Sequence, residues 1–243
     1  MTQLDAPTTV IIGGSAGIGL SAAQRLAADG HAVTVVGRDP DRLKRAVEQI
    51  GTDTARGLVA DLCDRASLDA LFAQVGALDH LVVTAPGNGG MGRLTDLDLS
   101  GLLAAFDTKL VAAAHAIQCA VPRLSKSGSI TLVAAQSAQS ALAGTAGLAA
   151  VNGAVQTIVP VLALELSPIR VNAVSPGVID TAWWDRVVPE EERRELFASI
   201  AASIPVGRVG RPEEIADVIA LLVRNGFMSG AVIPADGGGR LKP

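Results

Sequence analysis

The chain contains no tyrosine, so no phenol is available anywhere in it as a proton donor. Aromatic residues of any kind are scarce, with four Phe and two Trp in 243 residues. Two cysteines, Cys63 and Cys119, stand far apart with no partner at metal-ligand spacing, which excludes a zinc framework and leads us to expect two reduced, buried thiols. His31 and His80 lie beside strand starts without an evident partner, and His115 falls among alanines as a packing or interface residue, so no metal site is expected. Basic clusters are missing too. With a net charge of −4 and no Lys/Arg run to neutralise a phosphate backbone, nucleic acid is excluded as a partner. Residues 1–10 lack the basic and apolar regions of a signal peptide, and a cytoplasmic location is expected. No charge occurs between Lys126 and Glu165, but Gln136, Ser137, Gln139, Ser140, Asn152, Gln156 and Pro160 interrupt that stretch. A buried strand followed by a covered helix, and no membrane association, is the expectation there.

What is present in abundance is Ala, Val, Leu and Ile, and hydrophobic residues make up 49% of the chain. Short β-branched runs at 10–12, 32–36, 56–60, 80–84, 129–133, 171–174 and 231–233 alternate with helical patterns at 18–28, 40–50, 67–75, 102–121 and 148–166. Strands apolar on both faces and joined by helix-length crossovers imply a parallel sheet covered on both sides. The fold class is therefore α/β: a Rossmann fold, doubly wound, of about seven strands, in one domain over residues 1–243. One stretch departs from the rhythm, residues 179–205, charged and helical with Trp183, Trp184 and Phe197. After the sixth strand it lies above the ligand crevice, as a substrate lid or as a solvated surface helix.

The first strand runs directly into Gly13-Gly14-Ser15-Ala16-Gly17-Ile18-Gly19, which opens the first helix. Gly13 permits the tight turn, Gly17 and Gly19 permit close approach of backbone and helix, and the helix N-terminus offers free N–H groups to a pyrophosphate. The second strand ends in Gly37-Arg38 where an NAD site usually places a carboxylate. A guanidinium at Arg38 suits a 2′-phosphate instead, with Arg42 able to assist, so the cofactor expected is NADP(H).

With these motifs, the chain resembles the classical short-chain dehydrogenase/reductases over essentially its whole length. Asp61-Leu62 matches the family's adenine contact, and 172–181, with Pro176, Gly177, Ile179 and Thr181, matches its segment beside the nicotinamide. Ser229-Gly230 and Asp236-Gly237-Gly238 match its C-terminal signature. After the fourth strand, Thr84-Ala85-Pro86-Gly87 departs from the usual Asn-Asn-Ala-Gly, with Ala85 still in cofactor-binding position. The resemblance also implies an Asn-Ser-Tyr-Lys catalytic set, and none of it carries over. The four positions fall on Lys109, Ala135, Leu148 and Asn152.

Lys for Asn at 109 and Asn for Lys at 152 reads as a reciprocal exchange, in which Lys109 restores the cation and Asn152 holds a ribose hydroxyl. The alternative is independent drift, with Lys109 on a helix surface. Gln136 and Ser137 are candidate donors to a substrate oxygen, or simply part of a polar loop tip. The function expected is NADP(H)-dependent reduction of a small to medium carbonyl or enone with a non-standard proton donor. A catalytically silent nucleotide-binding regulatory protein, or a non-redox lyase or cyclase, is the alternative on the same scaffold. The helices near 102–121 and 148–166 are apolar nearly all round, and the resemblance implies a homodimer or homotetramer built on them.

Overall fold

A computed structural model of the chain describes residues 6–84, 89–186 and 188–241. Seven parallel strands form one sheet, β1 (Thr8–Ile12), β2 (Ala32–Gly37), β3 (Ala55–Val59), β4 (Leu78–Val83), β5 (Leu124–Val133), β6 (Arg170–Pro176) and β7 (Val232–Ala235). Their order is β3-β2-β1-β4-β5-β6-β7, so the winding reverses between β1 and β4, and a crevice opens beyond the carboxyl ends of those strands.

Helices α1 (Gly17–Ala28), α2 (Pro40–Ile50) and α8 (Pro212–Arg224) cover one face, around Ile11, Leu26, Val35 and Ile219. Helices α3 (Arg65–Val75), α5 (Ala112–Ala120) and α6 (Ala146–Glu165) cover the other, around Phe72, Leu81, Ile130 and Val159. Helix α4 (Leu99–Phe106) leads into α5, and α7 (Glu190–Ser203) lies within the 179–205 segment. Local chemistry starts the helices where they start. Asp39 accepts from the N–H groups of Asp41 and Arg42 with Pro40 in the first turn of α2, and Asp64 and Asp98 cap α3 and α4 in the same way.

Helix α8 has no counterpart in the sequence reading, and the fifth strand begins earlier than expected, at Leu124. The long helix near 102–121 is not continuous either. Between α4 and α5 the turn Asp107–Val111 widens to a π-helix.

Two further expectations are corrected. Cys119 is buried, but Cys63 is exposed, in the loop after β3. The histidines near the strand starts do have partners: His31 Nδ1 lies 2.9 Å from Thr9 Oγ1, and His80 Nδ1 lies 2.9 Å from Ser129 Oγ. Their rings are 5.5 Å apart at the amino end of the sheet, opposite the crevice.

Among the described residues, only α6 is long and apolar enough to cross a membrane. Here it lays Val151, Asn152, Val155 and Val159 against the protein and leaves Val161 and Leu164 exposed.

Candidate active site and dinucleotide crevice

The Gly-rich turn between β1 and α1 is fixed by contacts that leave no room for side chains. Gly13 adopts φ +81°, and a Cβ there would meet Thr84 Oγ1 at 2.5 Å. A Cβ on Gly19 would meet the Gly13 carbonyl oxygen at 2.2 Å. Gly17, at φ +52°, lies close against the methyl of Thr181. Ala16 contributes no side-chain cap to α1, so the first N–H groups of that helix remain available to an anion. Ser15 and Ile18 are half-buried within the same turn.

At the tip of β2 a Cβ on Gly37 would come within 3.2 Å of Ser15 Oγ. Arg38, directly after β2, is exposed, and its charge acts on the Cys63 thiol in the loop after β3. Burial, reinforced by the Asp61 charge, pushes that thiol up, and Arg38 opposes the rise. The Asp61 carboxylate accepts from the Cys63 N–H at 2.9 Å, and the Asp61 N–H donates to Ser67 Oγ at 3.0 Å, which holds the Asp61-Leu62 segment in place.

On the other side of the Gly-rich turn a cavity of about 320 Å³ opens between Ser15, Ala16, the α2 residues Arg42, Arg45 and Gln49, and Asp185. Arg45, Gln49 and Asp185 were missed by the sequence reading. They are distant in sequence from the glycine motif, and only the packing of α2 and the 180s segment against it brings them together.

The segment after β6 forms the opposite wall. Gly177 donates to Ala235 at 3.0 Å, and a Cβ there would meet Asp236 Cα at 2.7 Å, so Pro176-Gly177 runs tightly beside the C-terminal turn. Ile179 bridges to Gly210 and accepts from Trp184 Nε1 at 2.9 Å. Trp183, Trp184 and Phe197 stack edge-on, with centroid distances of 5.0 and 5.5 Å. Residues 179–205 thus carry an aromatic cluster of their own. Ala85 lies outside the described residues.

Ser137 and Asn152 come together. Asn152 Nδ2 donates to Ser137 Oγ at 3.1 Å and to the Leu148 carbonyl at 2.9 Å. Its Oδ1 is buried without a partner among the described residues. Gln136 faces the C-terminal turn: its Oε1, also buried and unpartnered, would lie 2.6 Å from a Cβ on Gly239. Gln156, a further residue missed by the sequence reading, ties the wall together by donating to Ala135 O at 3.2 Å and Ser175 Oγ at 3.0 Å. Its spacing of four from Asn152 along an otherwise apolar helix was the available signal.

Lys109 is buried, not on the helix surface. It projects from the π-helical turn and is 8% exposed. Val83 and Val133, at the carboxyl ends of β4 and β5, line a cavity of about 10 Å³ with it, together with Ala113, Leu132 and Val155. Among the described residues no neighbouring charge compensates, and burial pulls its ammonium from 10.5 down to about 8. Beside Asn152, Leu148 N–H donates to Gly90 O at 3.0 Å, and Gly90 and Gly147 pack backbone to backbone.

The family described as enoyl-(acyl carrier protein) reductase matches residues 13–239. The chain is 30% identical to the short-chain dehydrogenase/reductase ATR9 of Stachybotrys chlorohalonatus, over the full length of both. It is 32% identical to the cyclic-di-GMP-binding biofilm dispersal mediator protein of Escherichia coli, covering 95% of each. Among solved structures, a small-chain dehydrogenase in complex with NADPH superposes with a TM-score of 0.85 at 33% identity, covering 98% of this chain and 100% of that one.

Proposed function

Since the chain belongs to the short-chain dehydrogenase/reductase superfamily, we propose that it is an NADP(H)-dependent oxidoreductase that reduces a carbonyl or enone and takes the proton from Lys109. The observation that carries this reading is a buried lysine at the carboxyl ends of β4 and β5, in a chain with no tyrosine.

The residues present fit the dinucleotide. The first turn of α1 is uncapped, glycines stand wherever a Cβ would collide, and the buried Asn152 Oδ1 awaits a donor such as a ribose hydroxyl. Gly13, Ser15, Gly17, Ile18 and Gly19 hold the pyrophosphate end in this reading. Arg38, Asp61, Leu62 and Ala85 hold the adenosine, and Pro176, Gly177, Ile179 and Thr181 hold the nicotinamide end. When bound, NADPH supplies the hydride.

The chain's own residues supply the rest. Asn152 already donates to Ser137 Oγ, and the only acceptor for the serine hydrogen among the described residues is the Leu148 carbonyl, a long 3.4 Å away. That hydroxyl is free to turn and donate to a substrate oxygen. Lys109 then delivers the proton. An acid whose pKa is about 8 is well matched to work near neutrality. The apolar walls favour the neutral amine left behind, and the 10 Å³ beside it lies at the lower limit for one relaying water. Exposed Leu103 and Leu164 on α4 and α6 suit a homodimer or homotetramer.

The test is NADPH oxidation by wild type and Lys109→Met against a panel of ketones, diketones and enones. The reductive rate should decline as pH rises through about 8. The variant should lose ~100-fold or more in kcat while still binding NADPH. A variant that turns over at the wild-type rate refutes the assignment. The similarity to a cyclic-di-GMP-binding protein, with the missing tyrosine, favours a second reading as a nucleotide-binding regulator. Binding of dinucleotide or cyclic di-GMP with no turnover on the whole panel would select it.

A further inference from the structure

We propose that Gln156 is a positioning residue for the reduction: its side-chain amide fixes the turn that carries Ser137 against the segment that holds the nicotinamide end, and so sets the distance over which hydride passes. This rests on the reductase reading above and adds to it a residue that acts only through its neighbours.

The strands create the need for such a link. β5 and β6 pair in register up to Val133 and Val174, and the Ala134 N–H makes the last rung by donating to the Val174 carbonyl at 2.9 Å. Beyond that rung the two chains part. β5 runs into a tight 3-10 turn, Gln136–Ala138, whose capping residue Ala135 is extended and brings no side chain to hold it. β6 continues to Pro176, which has no N–H to offer, and there it pairs with β7 on its other side. Ser137, the donor to the substrate oxygen, stands on the first of these ends, and Pro176-Gly177 stands on the second.

Gln156 bridges the gap. From α6 its Nε2 donates to the Ala135 carbonyl at 3.2 Å and to Ser175 Oγ at 3.0 Å. Both amide hydrogens are thereby used, and because a carbonyl only accepts, the nitrogen must face this side. Ser175 is fully buried, and among the described residues Gln156 is the one side chain bonded to its hydroxyl. The Ala135 carbonyl has one other donor, the Ala138 N–H at 3.3 Å.

The two amides of α6 have separate tasks. Asn152 holds the Ser137 hydroxyl itself, and Gln156, one turn on, locks the base of that turn to the opposite wall. Transfer between bound groups is steep in distance: the reacting atoms must sit about 3–3.5 Å apart, and a displacement of ~1 Å costs ~100-fold in rate.

The test compares Gln156→Leu and Gln156→Glu with wild type, on a ketone or enone that wild type reduces. Leucine fills the space and donates nothing. Gln156→Leu should lose ~10-fold or more in kcat and keep NADPH affinity within about two-fold. It should also show a larger isotope effect with NADPH deuterated at the transferred position, because hydride transfer becomes the slow step. Its rate should still decline through about 8, since Lys109 is untouched. Gln156→Glu supplies a reading that a merely structural role would not move. Protonated, the new carboxyl donates to the Ala135 carbonyl and accepts from Ser175; ionised, it has no donor for Ala135. Burial raises such a carboxyl above its usual ~4.3, so the ratio of variant to wild-type kcat should rise several-fold from about pH 7.5 to about pH 5. Should the leucine variant fail to fold, the glutamate variant carries the test alone, as its two pH arms compare one protein with itself. Wild-type kcat in Gln156→Leu, a loss of NADPH affinity equal to the loss of kcat, or a Gln156→Glu defect constant with pH would overturn the proposal and leave the reductase reading in place. No turnover by wild type on the whole panel would remove that reading and this proposal together.

Discussion

Lys109 destabilises the fold that contains it, and replacing it with methionine should make the protein more stable. In the folded chain its ammonium is lowered from 10.5 to about 8 by burial, with no compensating charge. That difference corresponds to ~3 kcal/mol against the charged form. Below pH 8 the lysine is charged in both folded and unfolded chains, and the full penalty is present. Between about 8 and 10.5 the folded chain releases the proton first, so stability rises with pH, and above 10.5 the penalty is gone. Methionine fills similar space without a charge. Lys109→Met should therefore gain ~2–3 kcal/mol at pH 7, or roughly 5–10 °C in Tm for a chain of this size. The gain should narrow steadily towards pH 10. Scanning calorimetry of both proteins at pH 7, 8.5 and 10 measures this directly. A variant less stable than wild type at pH 7, or a gap that stays constant with pH, would refute the reasoning.

His80 is held neutral by burial, at about 4 instead of 6.5, so the folded chain binds fewer protons than the unfolded one between those values. Stability should fall by up to ~3 kcal/mol as pH drops from about 6.5 to about 4, and His80→Gln should flatten that slope in urea titrations. Gly147→Ala would place a Cβ 2.7 Å from the Cα and carbonyl oxygen of Gly90. Both obstacles are backbone, and thermal unfolding should show a loss of ~1–3 kcal/mol. Glu214 accepts from the Arg211 N–H at 2.8 Å and from the Arg208 guanidinium, and these hydrogen bonds, that from Arg208 first, hold its carboxyl down at about 2. Glu214→Ala removes the reciprocal half of the α8 cap and should lower stability by ~1 kcal/mol in the same assay.

The parallel sheet was legible because each strand is a short β-branched run and each crossover a helix-length one. Helix α8 was as clearly marked as any, with Pro212 in its first turn, Glu213 and Glu214 after it and Arg224 in its last turn. The early start of β5 was masked by Ser125-Lys126-Ser127-Gly128, polar residues, of which Lys126 and Ser127 are exposed in the structure. The glycine turn could be read residue by residue, since a tight turn and a close helix impose local demands. The cavity lined by Arg45, Gln49 and Asp185 could not, because its walls come from α2 and from a segment more than a hundred residues away.

The burial of Lys109 was not legible in the sequence. A lysine near the middle of a long helix is ordinarily a solvated residue, and no helical periodicity predicts the π turn that changes its direction. The structure shows what surrounds each of the two residues in the proposed exchange, Lys109 and Asn152. Each residue alone is unfavourable where it stands: among the described residues, a buried cation without an anion and a buried amide oxygen without a donor. Val155, one turn along α6 from Asn152, lines the cavity that Lys109 enters, and that cavity lies at the lower limit for one water. In the proposed mechanism the two are met separately, Asn152 Oδ1 by a ribose hydroxyl of the cofactor and the Lys109 proton by the substrate. The proposed proton donor stands on the π turn between α4 and α5, across the small cavity from Val155 of α6. The energetic signature is the same pair of unmet groups that makes the folded chain less stable than it needs to be.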